Sequence, residues 1–286
     1  LSSKNIPVKI KNDPCKQGDQ NMKKWIFIGL GAIVVILIVV VVVGVSKLGP
    51  LVKMAVNTYG PKITNTELRV DDVGISLFSA QAKLKKFFLG NPKGFKSPSA
   101  MKVGSIFVDV DQGSITKNPI IINRIEVVAP EITYEKQGNS DNFQSILNNV
   151  KKYVPQKGSA KKETAKEGPG KKLIINDFIV KKGKVNLAVA MAGGALGEQE
   201  IKTDLPDIHI KDIGKKKGGA SGAEAAQEIF AVLYSQIKSP VVMGALKEQL
   251  KSVGGAPAKA AIDLLEGAGK GTESVADKVK GIFKKE

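Results

Sequence analysis

The chain is short of several things that usually announce a function. It has one cysteine in 286 residues, Cys15, so no disulfide forms within it and its fold rests on packing. It has one histidine, His209, which excludes a metal centre built on several imidazoles. Aromatic residues make up 5% of the sequence, and only Arg69 and Arg124 among the 44 basic residues are arginine. Yet the net charge is +17, which first suggests nucleic acid. Arginine forks read phosphates and base edges, and aromatic rings stack on bases. With so few of either, nucleic acid is set aside as a partner. The lysines concentrate instead in low-complexity stretches. Lys151 to Lys172 holds eight Lys against two Glu, the composition of a solvated spacer. The functional alternative for such a run is contact with lipid headgroups or an acidic protein face.

What the chain does have is a run of 22 residues without a charge, Trp25 to Ser46. As a helix rising ~1.5 Å per residue it matches a hydrocarbon core ~30 Å thick. Its Val and Ile would suit a strand in water, but in lipid the backbone must satisfy its own hydrogen bonds, which requires a helix. Lys23, Lys24 and Trp25 at its start are expected to anchor it at the interface. A cleaved signal peptide would need a shorter apolar stretch, roughly 7–15 residues, and an A-x-A-like site, and VGVSKLGP offers neither. Six Lys against two Asp precede the run, so the N-terminus is expected in the cytoplasm and the bulk of the chain across the membrane.

The remaining sequence divides by texture. Residues 1–24 read as a disordered cytoplasmic tail and 25–46 as the transmembrane helix. A helical lead-in, Leu48 to Asn57, is expected to end at the Gly60-Pro61 turn. Residues 47–150 form a first β-rich block: ITNTELRV (Ile63 to Val70), VGISLFS, AKLKKFFLG, GSIFVDVD and a long strand from Pro119 to Glu135 interrupted at Ala129-Pro130. A short helix follows from Asn142 to Tyr153, with Asp141 as N-cap. After the linker, 151–171, a second β-rich block spans 172–214 and repeats the first at an offset of 53. Asn123 matches Asn176, Ile125 matches Phe178, Val127 matches Val180 and Ile132 matches Val185. Residues 215–286 are helical: a capping box at Ser221 and Glu224, a helix opening at Ser239-Pro240 and closing at Gly254-Gly255, a third over Pro257 to Glu266 and a fourth over Thr272 to Phe283.

No catalytic constellation stands out. His209 sits between Ile208 and Ile210, which point the other way, as on a half-exposed strand. Asp109 and Asp111 share a strand face, as alternating exposed acids do. An enzyme would need tertiary folding to bring these three together. GAGKGT (Gly267 to Thr272) lacks the Lys-Ser/Thr pair of a phosphate loop and no strand leads into it. No catalytic, metal-ligating or cofactor-binding residue is assigned.

A lysine tail and one span come before YGPKITNTELRVDDVGISLFSAQAKLKKFFLGNPKGFKSPSAMKVGSIFVDVDQGSI, IIINRIEVVAPEITYE and DNFQSIL. This string resembles the small AsmA-like proteins of Gram-negative envelopes. GNPKGF (Gly90 to Phe95) and the PEITYE strand ending at Glu135 carry the resemblance best. KLIINDFIVKKGKV and LPDIHIKDIGKKKGG continue it, over roughly residues 20 to 240. The resemblance implies a curved β-sheet groove, in larger relatives long enough to conduct lipids between membranes, and a role in outer-membrane homeostasis. This chain departs in length, since two strand blocks cannot span a periplasm.

The expected fold is therefore α+β: an N-terminal transmembrane helix, a curved antiparallel-type sheet built from two strand blocks, and C-terminal amphipathic helices. The expected function is non-enzymatic lipid binding or transport by a single-pass inner-membrane protein with a periplasmic domain. The bilayer, a phospholipid or another envelope lipid, and membrane proteins are its expected partners, with no cofactor. A lipid groove predicts that Ile106, Val108, Val110, Ile125 and Val127 line an open surface. The alternative, an accessory subunit of a larger membrane assembly, predicts that the chain's own helices cover them.

Overall fold

The structure is a computed structural model that describes residues 48–154, 171–189 and 201–267. The uncharged run 25–46, the tail before it, nearly all of the linker and the helix expected over Thr272 to Phe283 lie outside the described residues. Among the described residues, no single helix is long and apolar enough to cross a membrane.

The described chain is α+β, with one curled, mixed sheet of eleven strands and several helices. The strands are best understood as six long ones, most of them broken at the same level. β1 (Leu68–Arg69) and β2 (Asp72–Ser76) pair with β3 (Gln81–Leu89) in one continuous antiparallel register. β3 pairs with β4 (Met101–Val110). β4 lies antiparallel to β5 (Ile120–Val128) over one half and to β6 (Glu131–Gln137) over the other. β8 (Leu173–Lys181) and β9 (Gly183–Val189) run parallel to β5 and β6. β11 (Ile208–Ile213) and β10 (Ile201–Leu205) close the series, antiparallel to β8 and β9. A two-residue strand, β7 (Ser140–Asp141), folds back on β6.

The expectation of an antiparallel-type sheet is corrected here, because β5·β8 and β6·β9 are parallel. The physical reason is the repeat. Ile125 stands opposite Phe178, Val127 opposite Val180 and Ile132 opposite Val185, so the pairing register is the 53-residue offset itself. Each repeat unit cannot bury its apolar face alone, and stacking the two in register continues one apolar surface.

The break between half-strands forms a crease across the sheet. Lys86, Ala129 and Lys182 all have positive φ there, at +51°, +50° and +55°. Gly104 falls at the same level on β4, and Pro206 does so between β10 and β11. A left-handed residue turns each strand without breaking its register, at a cost of roughly 1–2 kcal/mol for a residue with a Cβ. Ala129 and Lys182 are exposed, so little is lost with their side chains. Ala129→Gly and Lys182→Gly are each expected to raise stability by roughly 1 kcal/mol, and Ala129→Val to lower it. The midpoint of urea denaturation is the check, and the repeat-related pair should respond alike.

The helices fill one half of the curl. α2 (Asn142–Lys151) packs on β6 and β7, and α3 (Gly222–Ile237) on α2 and β11. α4 (Pro240–Val253) packs on β10, and α5 (Gly255–Gly267) on α4. Their Phe143, Ile146, Leu233, Ile237, Leu246 and Leu250 meet Ile132, Tyr134, Val185 and Leu205 of the sheet in one core. The expected caps are present: Asp141 on α2, the Ser221–Glu224 box on α3, and Ser239-Pro240 on α4.

One expected boundary is wrong. The first helix, α1, covers 48–64 and runs through Gly60-Pro61, so Ile63 and Thr64 are helical and the following strand shrinks to Leu68–Arg69. Gly60 packs so closely on Leu68 that a Cβ there would lie 2.6 Å from its Cδ2. The Thr64 hydroxyl donates to the Gly60 carbonyl at 2.9 Å. Tertiary packing thus overrides the local turn signal. β10 was also missed, since IKTDL presents only Ile201 and Leu205 to the core.

An amide side chain caps each of two sheet edges. Asn57 of α1 accepts from the Val70 amide (2.8 Å) and donates to its carbonyl (3.2 Å). Gln249 of α4 does the same at Lys202 of β10, at 3.1 Å and 2.5 Å. Each mimics a missing strand and blunts the edge.

Candidate functional site

The inner face of the sheet carries cross-strand rows of apolar residues. One row is Leu84, Ile106, Val127, Val180 and Ile208, and the next is Ala82, Val108, Ile125, Phe178 and Ile210. Burial falls along each row. Val180, Ile208, Phe178 and Ile210 are buried where α3 packs on β11. Ile106 and Ile125 are half-buried and touch the core from its edge. Val108 and Val110 are half-buried and stand outside that core. The structure therefore places the five groove positions unequally. Val127, at 6% exposure, belongs to the packed core, and the other four lie on the less covered floor over β4 and β5.

The outer face is mainly polar, with Phe107 its exposed apolar exception beneath Lys83. Gln81, Asp109, Arg124, Asp177 and Lys211 form a row across five strands. Asp109 accepts from Asn123 (2.9 Å) and Gln81 (3.3 Å). His209 Nε2 lies 2.5 Å from Asp177 Oδ1, and this hydrogen bond is the main cause that holds the Asp177 carboxyl below its ordinary range. The β4–β5 register shifts at Asp109/Val110. Such a bulge re-aims side chains. Asn123 and Arg124, with their repeat mates Asn176 and Asp177 and with Asp109, then share a shallow depression of about 340 Å³.

The candidate enzyme trio does not assemble. Asp109 is on β4 and His209 on β11, with β5 and β8 between them, so about 14 Å of sheet separates their strands. Asp111 caps a turn, where its carbonyl accepts from Ser114. Among the described residues, no group of three or more His, Cys, Asp or Glu is placed to hold a metal ion.

No family model, curated protein or solved structure matches the chain. Two of the motifs quoted from the sequence form one physical unit. Glu135, which ends PEITYE, accepts from the backbone amides of Lys96 (2.6 Å) and Ser97 (2.7 Å), just past GNPKGF. Asn142 donates to Asn91 inside that motif at 2.8 Å. Both Glu135 and Asn142 are buried. This unit was not among the expectations from sequence. The signal was an unbroken polar stretch beside a strand whose apolar residues already alternate.

A second buried network joins the sheet to the C-terminal helices. Asp141 accepts from the hydroxyls of Tyr134 (3.2 Å) and Tyr234 (2.8 Å) on one oxygen, and from the Gln144 amide (2.7 Å) on the other. Burial, with the Asp141 charge adding to it, pushes both tyrosine hydroxyls far above their ordinary range, so they stay protonated and donate. Burial also pulls the Lys136 and Lys238 ammonium groups down, and Asp141 opposes that.

Proposed function

We propose that this chain is an inner-membrane-anchored, periplasmic lipid-binding protein of AsmA-like type that works in envelope lipid homeostasis without enzymatic chemistry. The observation that carries the reading is the graded inner face. The helices pack over β6, β10 and β11, while the apolar floor at Val108, Val110, Ile122 and Ile125 is only half-buried. An apolar floor of strands beside a closed core suits an acyl chain, whose burial contributes ~0.8 kcal/mol per CH₂. The uncharged run 25–46 would hold the domain at its lipid source.

The test is lipid analysis of the full chain purified in a mild detergent. The expected result is near-stoichiometric phospholipid on the wild type and at least about a tenfold loss in Val108→Asp, since an unpaired carboxylate beside an acyl chain costs well over 1.4 kcal/mol. Val241→Asp, on an exposed position of α4, is the control and should retain lipid. A well-folded chain whose lipid content ignores Val108→Asp overturns the groove and favours the accessory-subunit reading.

A further inference from the structure

We infer that one end of the sheet is a docking rim for an anionic bilayer surface. This rests on the membrane-anchor reading above and adds where the domain meets the lipid.

Four connections meet at this end: the β2–β3 turn (77–80), the β4–β5 loop (111–119), residues 171–172 before β8, and the β11–α3 link (214–221). They are knitted together. Gln112 donates to the Leu77 carbonyl at 3.5 Å, Lys171 Nζ to the Ile115 carbonyl at 2.8 Å, and the Lys172 amide to Asn118 at 2.8 Å. Gly219 lies against Pro119 and Lys172. The rim is thus one contiguous surface.

The β2–β3 turn, LFSA, is unusually apolar for a turn, since turns favour Gly, Pro, Asn, Asp and Ser. Phe78 is 100% exposed at the tip of the β2–β3 turn, and Leu77 and Ile115 stand beside it at 37% and 39%. Around them are Lys117, Lys171, Lys172 and Lys215 to Lys217. Lys215 pairs with Asp212 and Lys217 with Glu224. Lys117, Lys172 and Lys216 have no acidic partner among the described residues. Apolar wedges ringed by lysines are what an anionic headgroup layer over an acyl layer receives.

The course of the chain points the same way. α1 runs antiparallel to β1 and β2: Gly49 sits against the Val73 carbonyl, Asn57 on Val70 and Gly60 on Leu68. Its first turn therefore lies toward the rim, and the uncharged run ends at Ser46, two residues before it. The half-buried floor at Val108 and Val110 also ends there, on the last residues of β4. Docking would set the open floor on the bilayer.

The test is tryptophan quenching on the full chain in vesicles of brominated phospholipid, zwitterionic or with an anionic lipid added. Trp25 is the sole tryptophan and reports the anchor. A Phe78→Trp change in a Trp25→Phe background reports the rim. A Lys93→Trp change in that background reports the opposite end of the sheet, beyond β3. The expected result is a blue shift and quenching at position 78, stronger with anionic lipid, and neither at 93. Lys117→Glu, Lys172→Glu and Lys216→Glu together should reduce quenching at 78 and leave that of Trp25 intact. Position 78 as unquenched as 93, while Trp25 is quenched, overturns the rim and leaves the anchor standing. An unquenched Trp25 overturns the anchor, and position 78 then decides the rim alone. Phe78 is fully exposed, so the probe itself does not threaten the fold.

Discussion

Replacing Asp141 by alanine should cost about 3–5 kcal/mol and lower the melting temperature by roughly 10 °C or more. The carboxylate does three things at once. It caps α2, a role worth ~1 kcal/mol. It is also the acceptor for two hydroxyls, on Tyr134 of β6 and Tyr234 of α3, which are 0% and 3% exposed. Alanine leaves both donors buried and unpaired, at about 1–3 kcal/mol each. It also removes the charge that offsets the burial of Lys136 and Lys238. Asp141→Asn keeps one oxygen acceptor and should cost only about 1–2 kcal/mol. Chemical denaturation of the two variants is the check. Equal, small losses in both would mean that water satisfies the tyrosines and that the network does not tie α3 to the sheet. The size of the expected effect follows from position: Asp141 is where the first strand block, the short helix and the C-terminal helices meet.

The sequence disclosed parts of this that depend on local rules. Asp141, Ser221 with Glu224, and Ser239-Pro240 are helix starts by side-chain chemistry alone, and all three stand where expected. The 53-residue offset between Ile120–Tyr134 and Leu173–Leu187 was legible as a pattern. Its meaning, a parallel register, was not, because periodicity says which residues share a face and not which strand lies beside them. The crease was invisible for a related reason. Ala129 and Lys182 are not residues that favour positive φ, and only the alignment of six long strands in space makes a left-handed residue a cheap way to turn three of them at one level. The groove positions separated for a third reason. Val108 and Val127 look alike on their strands, yet Val127 stands next to β8, beyond which α3 packs on β11, and Val108 stands one strand farther from that cover and one row nearer the rim. Burial on a sheet is decided by what packs over it, which a strand's own pattern does not carry.

The other large effect is expected at Gly214, and it separates two causes that glycine substitutions usually mix. Gly214 links β11 to α3 with φ +80°, and a Cβ built there would lie 2.7 Å from both the Ala220 nitrogen and the Leu173 oxygen, and 2.9 Å from the Ala220 Cβ. Those first two atoms are donor and acceptor of one bond in a two-bond bridge, Ala220 N–H to Leu173 O and Leu173 N–H to Ala220 O, each 2.8 Å. A methyl group therefore enters the bridge itself, and backbone cannot step aside as a side-chain end can. Gly218, four residues on, has φ +65°, and nothing lies within 4 Å of its Cβ position. Gly218→Ala should cost only the left-handed conformation, about 1 kcal/mol. Gly214→Ala should add overpacking of ~1–3 kcal/mol and the weakening of two hydrogen bonds, for a total of roughly 3–5 kcal/mol. Urea denaturation of the two variants reads the difference directly. If both cost the same, conformation alone governs the link and the bridge yields freely. If Gly214→Ala costs several times more, the bridge is the rigid joint that fixes Lys215 to Lys217 in place on the rim.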